Sequence, residues 1–213
     1  MTITSNNDYL DKKFSEINLE NKEIESSIFE NCIFENCNFS DTKFSDCTFK
    51  NCKFIKCLFN ESKLKFCTIN NSKLNTCNFG LSRIESSNFY KNKFQNCKLI
   101  GINWCLNNGI KLLEFDECVL NYSFFSELNL KKFIFKNCLL KEVEFRSTNL
   151  KEVKFDNCNL EKSVFDNTDL ELTDFSTAKN YTIHPKYNKI KKTKFSLPEA
   201  LSLLWCLDIE LVD

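Results

Sequence analysis

The sequence predicts an all-β, right-handed β-solenoid of square cross-section. Three observations predict it: a hydrophobic period of five, a cysteine period of twenty, and a shortage of ordinary turn residues. The 213-residue chain holds 22 Phe but only 3 Gly and 2 Pro. A chain with so few turn formers must turn by some other rule.

The period of five comes first, because self-similarity decides architecture. From Phe14 through Leu19, Ile24 and Phe29 to Trp104, every fifth residue is large and apolar. The phase then slips by one residue and resumes from Phe115 to Phe175. Nineteen positions before the slip and 13 after it obey the rule. A spacing of five suits neither an α-helix nor a flat strand. It suits a chain that turns a corner every five residues.

Each large residue is the centre of one side. The residue two before it is small over the first coils, as at Ser27, Cys32, Cys37 and Thr42. Residues two apart in extended chain point the same way, so centre and small residue both face inward. The three remaining residues face water and are mostly Asn, Lys, Glu, Asp and Ser. Asn tolerates left-handed turn conformations and accounts for the missing Gly.

The cysteines give the circumference. Cys37, Cys57, Cys77, Cys97, Cys118, Cys138 and Cys158 are separated by 20, 20, 20, 21, 20 and 20 residues. Twenty residues are four sides, so these seven stack in one column. The single 21 falls where the centre phase slips. Both features place one inserted residue between Trp104 and Phe115, and the turn signal Asn107-Asn108-Gly109 marks it. About eight coils, each ~4.8 Å high, give a rod roughly 40 Å long. Residues 1–13 are then an N-terminal cap, 14–180 the solenoid, and 181–213 a C-terminal loop, helix and short strand. Solenoid ends need caps.

The F-x-x-C-x-F-x-x-C pattern, as in FENCIFENCNF at 29–39, resembles the pentapeptide repeat family. That resemblance covers residues 14–175 and implies a right-handed quadrilateral β-helix. The layout, with NYTIHPKYNKIKKTKFSLPEALSLL after the solenoid, is similar to the quinolone-resistance branch. Members of that branch bind the type II topoisomerases DNA gyrase and topoisomerase IV, as rods thought to mimic duplex DNA. The resemblance also implies a homodimer, because the C-terminal helix of that branch packs on its mate. Leu201, Leu204, Trp205 and Leu207 are the expected interface here. Ser196 and Glu199 read as a capping box opening that helix, with Pro198 in its first turn. Residues 208–211 read as the short strand.

Charge shapes the expected surface. Residues 1–35 carry net −5, residues 43–98 net +8, and residues 152–174 net −5. In the basic band, Lys43, Lys63 and Arg83 stack on one side. Lys53, Lys73 and Lys93 form a second column, read as lying on the next side. Lysine columns contact phosphates or acidic surfaces. The banding differs from the strongly acidic rods of the quinolone-resistance branch. It fits an alternative, an interaction scaffold for another acidic partner. Asn107, Asn108 and Gly109 are the one irregularity offered to a partner, because no long loop interrupts the phase.

The sequence points away from catalysis, metals and cofactors. Eleven of the 13 Cys occupy the small inward position, where Cys is a small hydrophobe. A line of thiols ~4.8 Å apart does not make a zinc tetrahedron. Cys105 and Cys206 stand outside that rule as the better candidates for a reactive thiol. His184 is the only histidine and precedes Pro185. The formal net charge is zero, which argues against a generally basic nucleic-acid binder, so direct nucleic-acid contact is not expected. There is no apolar run of ~20 residues and no apolar signal segment near the N-terminus. A cytoplasmic protein with reduced cysteines is expected.

Overall fold

A computed structural model describes residues 2–107, 109–207 and 209. It is a right-handed quadrilateral β-helix, and every strand pairing in it is parallel. The chain visits four faces in turn. Face 1 is a six-stranded sheet running from Asp8–Leu10 to Gly109–Lys111. Face 2 is an eight-stranded sheet running from Lys13–Ser15 to Lys154–Asp156. Face 3 is a column of single bridges from Asn18↔Asn38 to Asn159↔Lys179. Face 4 is a four-stranded sheet from Glu23–Glu25 to Arg83–Glu85.

Every strand is three residues long, and its middle residue is the inward centre, as in Lys53–Ile55 with buried Phe54. The eight strands of face 2 span seven turns. Bridges Lys154↔Asp174 and Asp174↔Lys194 continue its ladder. Regular pairing thus begins at Asp8, within the stretch expected as an N-terminal cap, and runs past residue 180 to Lys194. Both end stretches carry the pentapeptide backbone without its full side-chain pattern.

The corners explain the scarcity of Gly, though not as the sequence suggested. Two residues after most centres the backbone is left-handed, and 34 non-Gly residues have positive φ. Only 14 of these are Asn or Asp. Leu81, Leu112, Leu172, Phe66 and Tyr122 share the conformation, at ~1–2 kcal/mol each. Asn preference is therefore a contributor and not the cause. Hydrogen bonds to the next coil hold the corner, as when Asn31 N–H donates to Lys50 O at 2.9 Å and Leu81 N–H to Ile100 O at 3.0 Å.

Inside, centres stack on centres. Phe34 lies on Phe54 with ring centroids 4.8 Å apart, and Phe115 on Phe135 at 5.2 Å. Rings on adjacent faces meet edge-on, as do Phe49 and Phe54 at 5.6 Å. Both arrangements suit the aromatic quadrupole. The small inward residue donates to a centre's carbonyl one coil back. Cys57 Sγ donates to Phe34 O at 3.4 Å, Ser87 Oγ to Leu64 O at 3.2 Å, and Thr148 Oγ1 to Phe125 O at 2.8 Å. This shared task makes Cys, Ser and Thr interchangeable there. Where centres shrink to Leu, as at Leu130, Leu140 and Leu150, the neighbouring inward positions enlarge to Phe133, Val143 and Val153, all buried.

The inserted residue lies just before the stretch expected. Ser86 N–H donates to Leu106 O at 2.8 Å, one residue beyond the usual partner. The extra residue is taken up by the 3-10 turn Trp104–Leu106, capped by Asn103. Gly109 is already a strand residue, in register with Asn88.

The C-terminal helix is shorter and less regular than expected. Leu197–Ala200 is a single α-turn, and Leu201–Leu207 continues as 3-10 helix. The capping box does not form. The Ser196 hydroxyl bonds the Glu199 carboxylate at 2.8 Å and Ala178 O at 3.1 Å, while Glu199 accepts from Asn180 N–H at 3.1 Å. These side chains fasten the helix to the last coil instead of closing its own first turn. The strand expected at 208–211 lies outside the described residues, Ile209 excepted.

Candidate interaction surface

The thiols are structural. All eleven inward Cys are free and buried. Burial pushes Cys52 up to about 12 and raises Cys32. Hydrogen bonding to neighbouring thiols, and then burial, raises Cys37, Cys77 and Cys118. Those raised thiols are protonated at neutral pH, while the same thiol–thiol hydrogen bonds lower their column neighbours Cys47, Cys57 and Cys97, which are fully buried and closed to solvent reagents. Cys105 is half-buried, donates to Ser126 O at 3.2 Å, and is likewise raised, chiefly by burial. The side chain of Cys206 lies outside the described residues. No group of three or more His, Cys, Asp or Glu suited to a metal ion occurs among the described residues. His184 accepts from Lys186 N–H through Nδ1 at 3.2 Å and packs on Tyr187, capping the short turn Pro185–Tyr187.

The lysine columns form as spaced. Lys43, Lys63 and Arg83 are in register on face 4, and Lys53, Lys73 and Lys93 on face 2. Face 1 lies between them in the chain, so the columns are on opposite sides of the rod and not on neighbouring ones. Centres 44 and 54 are two corners apart, and two corners of a square reverse direction.

The two columns differ in company. The band's three carboxylates, Asp46, Glu61 and Glu85, all lie on face 4 or its corners. The segments 47–60, 67–80 and 87–113 contain eight Lys and no Asp or Glu. Ion pairs occur only at the margins: Lys43 with Glu23, Lys50 with Glu30 at 2.7 Å, and Lys93 with Glu114 at 2.6 Å. Among the described residues, Lys53, Lys56, Lys63, Lys73, Arg83, Lys91 and Lys111 have no ion pair.

Face 4 is concave beside the insertion. A groove of about 720 Å³ is lined by Asp41, Glu61, Lys63, Leu81, Arg83 and Leu106, among others. Gly101 at its edge has φ +72°, and a Cβ there would sit 3.2 Å from Leu81 Cδ2. Asn107 caps the 3-10 turn through its backbone N–H, its side-chain amide donating to Trp104 O at 3.1 Å. Gly109 and Asn107 line a second shallow groove on face 1 with Tyr90 and Leu112. Asn108 lies outside the described residues. The insertion thus shapes two grooves, and its described residues project no loop.

Sequence comparison agrees with this geometry. The model of the pentapeptide repeat region matches residues 27–104 and 110–184, leaving out the insertion. The chain belongs to the pentapeptide repeat family. No curated protein matches it in sequence. Among solved structures it is similar to full-length QnrB1, a plasmid-mediated fluoroquinolone resistance protein. Identity is 15%, with 95% of this chain and 100% of that one covered and a TM-score of 0.50. It is also similar to HetL, a pentapeptide repeat protein involved in heterocyst differentiation regulation in the cyanobacterium Nostoc. There identity is 12%, coverage 90% and 89%, and the TM-score 0.42.

For this pentapeptide repeat protein, sequence reasoning missed a set of exposed apolar residues on face 4 and at both of its corners, with Gly101 between Leu81 and Tyr122. Leu81 is 63% exposed, Phe66 50% and Tyr122 47%, all at left-handed corners, and Phe124 follows on the same side. The available signal was that each departs from the polar types of the outward positions. At the C-terminus Leu197 is 87% exposed, and Leu201 and Leu207 are about half exposed. Leu204 is partly buried. The side chain of Trp205 lies outside the described residues. No helix among the described residues is long and apolar enough to cross a membrane.

Proposed function

We propose that this chain is a non-catalytic interaction rod of the bacterial cytoplasm, and that its protein partner is a type II topoisomerase, DNA gyrase or topoisomerase IV. The observation that carries the rod reading is the surface itself. The faces are ladders of parallel strands and bridges in register along the rod, and the described residues hold no group of three or more His, Cys, Asp or Glu suited to a metal ion. The resemblance of the repeat and tail to the quinolone-resistance branch supports the choice of partner. Face 4 is the docking side. Phe66, Tyr122, Phe124 and Arg83, on the face or at its corners, are residue types that anchor protein interfaces, and Lys43 and Lys63 continue the face toward the N-terminus. The exposed Leu197, Leu201 and Leu207 suit a homodimer through the C-terminal cap.

A gyrase supercoiling assay, with and without a fluoroquinolone, tests the partner. Inhibition or protection at micromolar protein is expected, and neither effect would end the topoisomerase reading. Light scattering tests the dimer: the wild type should be dimeric and Leu204→Asp monomeric. A monomeric wild type removes that claim.

A second reading keeps the rod and changes the partner. The basic middle has the wrong sign for a rod that copies the charge of duplex DNA. It favours an acidic partner unrelated to topoisomerase, and a protein that leaves supercoiling untouched would point there.

A further inference from the structure

We propose that face 2, with its corner to face 1, is a second binding surface and takes the phosphodiester backbone of a nucleic-acid duplex. This proposal does not depend on the topoisomerase reading, which concerns the opposite face.

Lys53, Lys73 and Lys93 stand in register on successive strands. Lys56 and Lys91 occupy the two corners of the same face, and both have positive φ, which turns them outward at the edges. All five are exposed. No carboxylate faces them until Glu35 and Glu114, at the margins, which are engaged by Lys13 and Lys93. Stacking like charges on facing strand positions is destabilising. The chain does so here twice running, Lys53 on Lys73 and Lys73 on Lys93, while it alternates sign in the later coils.

The company of these lysines selects the ligand. Between them lie Asn51, Asn71, Asn75, Thr76, Gln95 and Asn96. Amides and hydroxyls are common donors to phosphate oxygens, alongside Lys. Face 2 itself exposes no large apolar side chain between residues 51 and 96, and at its corner to face 1 Leu112 and Tyr90 alone are exposed among the described residues, too few for the clustered anchor a protein interface needs. Tyr90, with Lys91 Nζ 5.8 Å from its ring centroid, is one ring at that corner and not the series of aromatic platforms on which successive unpaired bases stack. A duplex presents one negative charge per ~1.7 Å of axis and needs no apolar anchor.

The bands of the rod argue against a membrane. An anionic bilayer would meet the whole length of the face, including the net −5 segments at 1–35 and 152–174. On faces 1 and 2 the acid-free zone from Lys50 to Lys111 covers four rungs, roughly 15 Å along the axis. A duplex crossing the rod meets that zone alone. The zero net charge of the chain conceals it, because the compensating carboxylates are elsewhere. With no loop to enter a groove, contact is with the backbone and independent of sequence.

Anisotropy titrations of the full chain with labelled DNA and RNA duplexes of mixed sequence test the proposal. Four or so phosphate contacts predict a log–log salt slope of about −3.6, so affinity falls about 100-fold from about 50 to about 200 mM salt. The Lys53→Gln, Lys73→Gln, Lys93→Gln triple variant should flatten that slope by about 3 and lower affinity at least tenfold. The charge-matched Lys43→Gln, Lys63→Gln, Arg83→Gln triple on face 4 should change affinity less than about threefold. If the Gln triple on face 2 does not fold, the three Arg replacements should retain wild-type binding. Absence of duplex binding at low salt overturns the proposal. Equal loss from both triples does so too, as does binding to phosphatidylserine vesicles without binding to either duplex. DNA and RNA duplexes binding alike supports it. A duplex whose affinity depends on base sequence contradicts it.

Discussion

Residues 43–98 and residues 131–194 obey one backbone rule and treat charge in opposite ways. In the earlier stretch, lysines and Arg83 stack in register and reach carboxylates only at its margins. In the later stretch successive coils alternate in sign. Lys141 meets Glu161 at 3.1 Å, Lys151 meets Glu171 at 2.7 Å, and Lys194 meets Asp174 at 3.1 Å. The cores differ too. In the earlier one Phe44, Phe49 and Phe54 give way along the rod to Leu64, Ile69 and Leu74, whereas in the later one columns of stacked rings, as Phe135 on Phe155 at 5.1 Å, run beside columns of Leu whose gaps are filled by Phe133, Val143 and Val153. The fold tolerates either surface because strand pairing is nearest-neighbour and backbone-made. A surface that goes against its own electrostatics while its neighbour does not is one kept for binding.

The largest expected effect tests the cores. Phe54→Ala removes a ring stacked on Phe34 and edge-on to Phe49 and Phe59. It should cost about 3–5 kcal/mol, against about 2–5 kcal/mol for Leu150→Ala in the later core. The aromatic pairs account for about 0.5–1.5 kcal/mol of that difference. Urea unfolding of both variants measures it, and equal losses would mean that the stacked rings add nothing beyond buried area.

Next comes corner strain. Leu81→Gly removes a left-handed, exposed Leu and should raise stability by roughly 1 kcal/mol, less the chain entropy that Gly adds. The same change at Leu172 should do as much, because the corner rule is common to both stretches. If only Leu81→Gly weakens the protein, the face 4 apolar set is a folded cluster and not a free surface.

The fold was legible in the sequence almost entirely, because a five-residue period leaves few architectures open. Phe14 to Phe175 gave the centres, and the cysteine column gave four sides. What escaped was set by neighbours in space. Leu81, Tyr122 and Phe124 read as isolated departures until the coil register placed them on one side of the rod. The two lysine columns appeared adjacent until the corners were counted in three dimensions. Ser196 and Glu199 had the spacing of a capping box, but Ala178 O and Asn180 N–H offered them better partners on the last coil.

Smaller again is the effect of one charge. Lys73→Glu puts an opposite charge between Lys53 and Lys93 and should stabilise by about 0.2–1 kcal/mol. Added salt should narrow the gap between variant and wild type, since screening relieves the wild-type column. A destabilised variant would show that the lysine stems cover apolar surface that outweighs their repulsion.

The smallest effect is that of mild acid, and it acts on the later stretch. Lys131 holds Glu152, and Lys151 holds Glu171, below the usual carboxylate value of 4.5. A lowered folded pKa contributes stability that is complete above the unfolded value and is lost as pH falls through the folded one. Glu161 and Glu171 raise Lys141 and Lys151 above 10.5, so their contribution is complete below that value and fades above it. Stability of residues 131–194 should therefore be level between about pH 5 and pH 10 and decline on either side. These groups are exposed and the decline is shallow, so hydrogen exchange resolved by region is the measurement that can see it. Amides of the later coils should lose protection below pH 4.5 sooner than those of residues 53–94. Between Lys53 and Lys91 the described residues have no such pairs to break, and the pairs of Lys50 with Glu30 and Lys93 with Glu114 stand at the margins. A uniform loss along the rod would mean that the alternating charges contribute no more to the later coils than the lysine columns do to the middle.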